Sequence, residues 1–154
     1  MKKMKDLPYI IGLKVKIYPS DEQKRLIAVN DGAKRAVYNH LVACGNEKYR
    51  LSMSADNVPA YQERLDYLES VTGGLDSIKN AMPFLYGKDV DDQAVANASK
   101  NYHTAWKNRK ERHTGVPVFK KKSSVQSYQT NAHYYSKDTQ EGHNSNVWFL
   151  DKNH

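Results

Sequence analysis

Between residues 11 and 18 apolar and polar side chains alternate, with Ile11, Leu13, Val15 and Ile17 on one face and Gly12, Lys14, Lys16 and Tyr18 on the other. A period of two is that of a half-buried strand. Pro19 ends it, and Ser20 followed by Gln23 has the spacing of a capping box, so a helix opens there. The period then changes. Leu26, Asn30, Ala33, Val37, Leu41 and Cys44 mark one helical face, widened by Ile27 and Val42. Gly45 is predicted to close this helix, leaving Lys34, Arg35, Tyr38 and Asn39 along its flanks.

Residues 52–57 read as loop, and Pro59 suits the first turn of a second helix whose apolar positions are Tyr61, Leu65, Leu68 and Thr72. Gly73 and Gly74 stop it. A short helical stretch over 75–82 ends before Pro83, and Phe84, Leu85 and Tyr86 form a small apolar knot. Asp89, Asp91 and Asp92 crowd the start of the last helix, where carboxylates complement unpaired N–H groups and the macrodipole. Ala94, Val95, Ala98, Tyr102, Ala105 and Trp106 are its predicted buried face. Past Gly115 the pattern is β-like again over 116–119, 125–130 and 147–150, with a polar insertion over 135–146. A lone N-terminal strand is not stable by itself. It is expected to pair with the C-terminal strands, making the helices an insertion between two halves of one sheet or barrel, an α+β fold.

Composition points to an anionic partner. The 154 residues carry a formal net charge of +7 and a pI near 9.3, with a mean hydropathy of −0.83. No run approaches the roughly eighteen apolar residues of a membrane span. The N-terminal residues, with Asp6 and Pro8 early, lack the apolar stretch of a signal peptide. One cysteine, Cys44, offers no disulfide framework and reads as core, which fits a reducing cytoplasm. The six histidines show no metal-ligand spacing, no phosphate-binding glycine loop is present, and Asp89, Asp91 and Asp92 read as helix caps. Nothing looks catalytic.

The densest basic stretch runs from Lys100 to Tyr128. Lys107, Arg109, Lys110, Arg112, Lys120, Lys121 and Lys122 there face a single acid between 107 and 122, Glu111, and are interleaved with Tyr102, Trp106, Phe119 and Tyr128. Such a stretch is either a solvated helix end beside an ordinary strand or a phosphate track with aromatic platforms. Trp106 and Phe119 are read as core.

Four strings in order resemble the N-terminal region of TnpB, the OrfB protein of small bacterial insertion sequences, and of compact type V CRISPR effectors. They are the strand and turn over 14–23 (KVKIYPSDEQ), the helix over 32–40 (GAKRAVYNH), the helix start over 90–94 (VDDQA) with Asn101, Ala105, Trp106 and Lys107, and the return over 115–122 (GVPVFKKK) with Ser127, Tyr128, Gln129 and Thr130. The resemblance implies an oligonucleotide-binding-type β-barrel, the wedge, made of residues 1–19 and 114–154 and split by a helical recognition lobe over 20–113. It also implies the binding part of an RNA-guided DNA endonuclease, holding guide RNA and double-stranded target DNA and reading a short flanking DNA motif. Nucleic-acid contacts are expected from Lys14, Lys16 and Tyr18 of the first strand and from Lys34, Arg35, Tyr38 and Asn39 of the long helix. In the last helix they are expected from Gln93, Asn97, Lys100 and Asn101, then from Lys107, Arg109 and Lys110. The return segment contributes Lys120, Lys121, Lys122, Ser127, Tyr128, Gln129 and Thr130. Flanking-motif reading falls to Asp92, Gln93, Ala96 and His133, with Tyr61. By the same resemblance, Mg²⁺ belongs to a RuvC-like nuclease domain and zinc to a ribbon, both C-terminal to these residues, and no cofactor is expected here. Two other readings are a free-standing, nuclease-free binding module that represses DNA, and an unrelated RNA-binding protein of the oligonucleotide-binding fold.

Overall fold

The computed structural model describes residues 16–53, 59–122 and 127–130, and among these the regular structure is helical. α1 (Asp21–Met53) is followed by α2 (Pro59–Ser70), α3 (Leu75–Ala81), a 3-10 turn (Pro83–Tyr86) and α4 (Asp92–Arg112). Both long helices are capped as their sequences dictate. Ser20 Oγ accepts from the Gln23 N–H at 3.3 Å while Gln23 Oε1 accepts from the Ser20 N–H at 2.8 Å. At α4, Asp91 is the N-cap, its carboxylate accepting from the Gln93 N–H at 2.8 Å.

α1 and α4 form the main packing pair and run in the same direction. Near their starts, Asn30 Nδ2 donates to the Asp89 carbonyl at 3.0 Å and Asn30 Oδ1 accepts from the Asp91 N–H at 2.7 Å. Further along, Gly45 meets Tyr102 and Trp106. Between these points Ala33, Val37, Leu41 and Val42 pack against Val95, Ala98 and Tyr102. Ile78 of α3 and Leu85 of the 3-10 turn close the core, both 1% exposed. The knot around Leu85 is therefore only partly buried, since Phe84 and Tyr86 face solvent. α2 is held to the second half of α1 by Arg64, which donates to both Glu47 carboxylate oxygens at 2.6 and 3.0 Å, and by Lys48 Nζ donating to Thr72 Oγ1 at 3.2 Å. No helix among the described residues is long and apolar enough to cross a membrane.

Three expectations are corrected. The first is the fold class: no strand, sheet or barrel occurs among the described residues, so the α+β oligonucleotide-binding barrel is overturned by a helical architecture. Residues 16–20, 113–122 and 127–130 contain no strand, while residues 9–15 and 131–154, with the strand read over 147–150, lie outside the described residues. The physical reason lies in where the backbone of the return segment finds its partners. Lys120 pairs with a side chain of α1 and not with a neighbouring strand. Within 116–119 only Pro117 is buried, whereas Val116, Val118 and Phe119 face out. That is the second correction, because Phe119, 54% exposed, is not core.

The third concerns Gly45, which does not close α1; the helix continues to Met53. Glycine costs about 1 kcal/mol relative to alanine inside a helix, yet here it removes an obstacle. The Tyr102 hydroxyl occupies the space a Cβ at residue 45 would need, and Tyr102 Cζ would stand 3.3 Å from that atom. Tyr102 is itself fixed, packed edge-on to Tyr38 (6.2 Å, 83°) and Trp106 (6.5 Å, 80°). Gly45→Ala should therefore lower stability by about 1–3 kcal/mol despite alanine's better helix propensity. In a Tyr102→Phe background the same change should cost less than about 1 kcal/mol. Equal losses in both backgrounds, measured by denaturant unfolding, would show that the hydroxyl is not the obstacle.

Candidate nucleic-acid interface

Asp31, Lys34, Arg35, Tyr38 and Asn39 are spaced as i, i+3, i+4, i+7 and i+8, which places them on one stripe of α1. The segment after α4, hereafter the strap (residues 113–122 and 127–130), lies along this stripe and runs against the direction of α1. Asn39 Oδ1 accepts from the Lys120 N–H at 2.8 Å and Asn39 Nδ2 donates to the Lys120 carbonyl at 3.0 Å. A single side-chain amide thus satisfies both backbone groups of one residue, as a strand neighbour otherwise does. Asp31 Oδ1 accepts from the Ser127 N–H at 3.0 Å, and Lys34 Nζ donates to the Ser127 carbonyl. On the other side Asn97 Nδ2 of α4 donates to the Gln129 carbonyl at 2.9 Å. Together these bonds seat the strap on α1 and α4.

The stripe is also electrically balanced. Asp31, 5% exposed, lies 2.9 Å from Arg35 Nη1 and 3.5 Å from Lys34 Nζ. A buried carboxylate with two cations and an N–H is fully engaged, which makes truncation of any one member costly. Lys120 Nζ sits 4.3 Å from the centroid of Tyr38. Burial, assisted by the nearby Lys34 charge and opposed by Asp31, holds the Lys120 ammonium below the ordinary lysine pKa.

Several residues assigned from sequence to nucleic-acid contact are therefore occupied within the molecule. Lys34, Arg35, Tyr38, Asn39, Asn97 and Lys120 all hold the strap or its neighbours, and Ser127 and Gln129 contribute backbone atoms to the same seam. Tyr128 and Thr130 are half-buried, and the Thr130 hydroxyl has no hydrogen-bond partner among the described residues. Lys16 and Tyr18 are exposed, with the ammonium 5.0 Å from the ring. At the start of α4, Asp92 is bonded at 2.8 Å to Lys79, whose ammonium also lies 4.6 Å from the Tyr86 ring. Gln93, Ala96 and Tyr61 are half-buried on their helices. Lys14 and His133 lie outside the described residues.

A second group of cations faces solvent. Lys100, Lys107, Arg109, Lys110 and Arg112 project from α4 beside the exposed amide of Asn101, and Lys121 and Lys122 from the strap. Lys107 is 3.7 Å from Glu111, with both side chains well exposed, and the Arg109 guanidinium stands 5.9 Å from the Trp106 ring. Exposed ion pairs of this kind are weak and leave the cation available to a phosphate. Among the described residues no group of three or more His, Cys, Asp or Glu could hold a metal ion.

Residues 9–52 match a family model described as a helix-turn-helix domain, that of OrfB proteins of IS605-type elements. The N-terminal region belongs to the TnpB/OrfB family. No curated protein and no solved structure matches the chain. A helix-turn-helix domain suggests DNA as a partner, which agrees with the basic charge. In this TnpB/OrfB region, however, residues 21–53 form one uninterrupted helix, and within residues 32–40 Lys34 and Asn39 bond the strap while Ala33 and Val37 enter the core. Periodicity alone does not mark Asn30 and Asp31 as polar anchors. Their signal is an amide and a carboxylate set within or beside an apolar helical face.

The seam makes a direct prediction. Asn39→Leu removes both bonds to Lys120 and should cost about 1–3 kcal/mol, with faster amide exchange at Lys120, Lys121 and Lys122. Asn39→Asp keeps the acceptor but sets a carboxylate against the Lys120 carbonyl, so it should release the strap as well. Unchanged exchange in both variants would mean that the strap is held elsewhere.

Proposed function

We propose that this chain is the nucleic-acid-binding part of a TnpB-like, transposon-associated protein, engaging guide RNA and duplex target DNA through the exposed cations of α4 and the strap. What supports this reading is the segregation of charge in a chain whose N-terminal region belongs to the TnpB/OrfB family. Lys34, Arg35 and Lys120 turn inward and build the seam, while Lys107, Arg109, Lys110, Arg112 and Lys121 remain at the surface. Structural cations need acids or rings beside them; cations displayed in excess attract phosphate. The strap that carries Lys121 is bonded to α1 and α4, so its exposed cation and those of the helix end belong to one folded unit. In this reading any Mg²⁺-dependent cleavage is the work of a RuvC-like domain outside these residues, and the chain itself supplies binding.

Salt-dependent affinity tests the proposal. Replacing Lys107, Arg109, Lys110 and Lys121 together by Ala should weaken binding to a structured RNA and to duplex DNA. The log–log salt slope should fall by about 0.7 to 0.9 for each phosphate that is no longer neutralised. Lys120→Ala is the contrasting control: it should lower stability and leave the slope in place, because its ammonium is spent on Tyr38. A quadruple variant with the parental slope would reduce the basic surface to a solvated face.

A further inference from the structure

A cleft of about 490 Å³ opens between α1, α4 and the turn that follows α2. It lies in the range of small-ligand sites, about 300–1,000 Å³, and the seam and charge display described above make no use of it. We propose that it is a pocket for one unpaired nucleobase, a reading that rests on the proposed nucleic-acid function.

The lining favours a flat, polar-edged heterocycle. Trp106 supplies an aromatic wall whose orientation is set by Tyr102, packed edge-on at 6.5 Å and 80°. Gly73 contributes no side chain to the lining, and the space beside Gly45 is taken by the Tyr102 hydroxyl, which lines the same cleft. At the rim stand Lys48, whose ammonium donates to Thr72 Oγ1 at 3.2 Å, the exposed carboxylate of Glu69, and the exposed ring of His103. A base offers a π face to the indole and donors and acceptors on its edge to these groups. An alkyl chain or apolar peptide side chain would instead desolvate Lys48 and Glu69 without replacing their hydrogen bonds. Cys44 lines the same cleft, and its thiol, pushed up in pKa by burial and next by Glu47, stays neutral. Lys107 follows Trp106 directly and Lys110 lies one turn further along the same helix, both exposed and placed to take the phosphates flanking a splayed-out base.

The test uses the full chain carrying Trp148→Phe, which leaves Trp106 as the sole tryptophan. It is titrated with a ten-nucleotide oligoadenylate and with an abasic strand of equal length and charge, each in ribose and deoxyribose form. The intact strand should quench Trp106 fluorescence and bind about fivefold or more tightly than the abasic strand, and the ratio of ribose to deoxyribose affinities names the strand that supplies the base. Glu69→Phe, made at an exposed position and filling the mouth of the cleft, should reduce the affinity for oligoadenylate to that for the abasic strand. It should leave abasic binding and its salt slope unchanged. Equal affinity for intact and abasic strands without quenching would overturn the pocket while leaving the nucleic-acid reading intact. Absence of binding to either strand would overturn both.

Discussion

An extended segment without a sheet neighbour must still find partners for its N–H and C=O groups, and the solution here is the amide of Asn39. It bonds both backbone groups of Lys120, with Asp31 and Lys34 together serving both groups of Ser127 and Asn97 donating to the Gln129 carbonyl. Helix side chains thereby do the work of a strand edge. The consequence is a tertiary link between the helix carrying the family-matching region and the basic segment that follows α4. Without it, Lys120 would not reach the Tyr38 ring and Lys34 would lose its bond to the Ser127 carbonyl.

The same link explains how one chain distributes its positive charge. Arg35 and Lys34 neutralise Asp31 at the seam, Lys79 neutralises Asp92, and Lys120 rests on Tyr38. All of these groups except the exposed Asp92 are buried or half-buried, and their removal acts on stability. The last turns of α4 and the Lys121 position carry cations at the surface. This division separates residues that shape the molecule from those displayed at its surface.

Parallel packing of α1 and α4 depends on a second local concession. Gly45, a poor helix residue, sits where the Tyr102 hydroxyl needs room, and its neighbourhood opens into the cleft beside Trp106. Helix propensity is given up at one position so that two long helices approach with an aromatic side chain between them. The turn suggested by the family description is absent from residues 21–53, and the continuous helix is what brings Asn30 into register with the start of α4 and Gly45 with its middle.

The helices were legible in the sequence by themselves. The Ser20–Gln23 capping box, the apolar face from Leu26 to Cys44, Pro59 opening α2, and Asp91 opening α4 are all local signals, and each appears where its spacing places it. Excess positive charge and the resemblance of residues within 9–52 to TnpB/OrfB were likewise present in the chain alone. What only the tertiary structure decided was the partnering. An apolar run over 116–119 is the same in a sheet and in a strap, and it cannot say that Pro117 faces inward and Phe119 outward. Lys34 and Asn39 look like ligand-binding groups until the strap arrives to use them. A glycine in an apolar helical pattern reads as an end until Tyr102 is seen to fill the space above it. Periodicity and capping are set within a few residues, whereas the choice of a hydrogen-bond partner is made by residues 61 to 96 positions away.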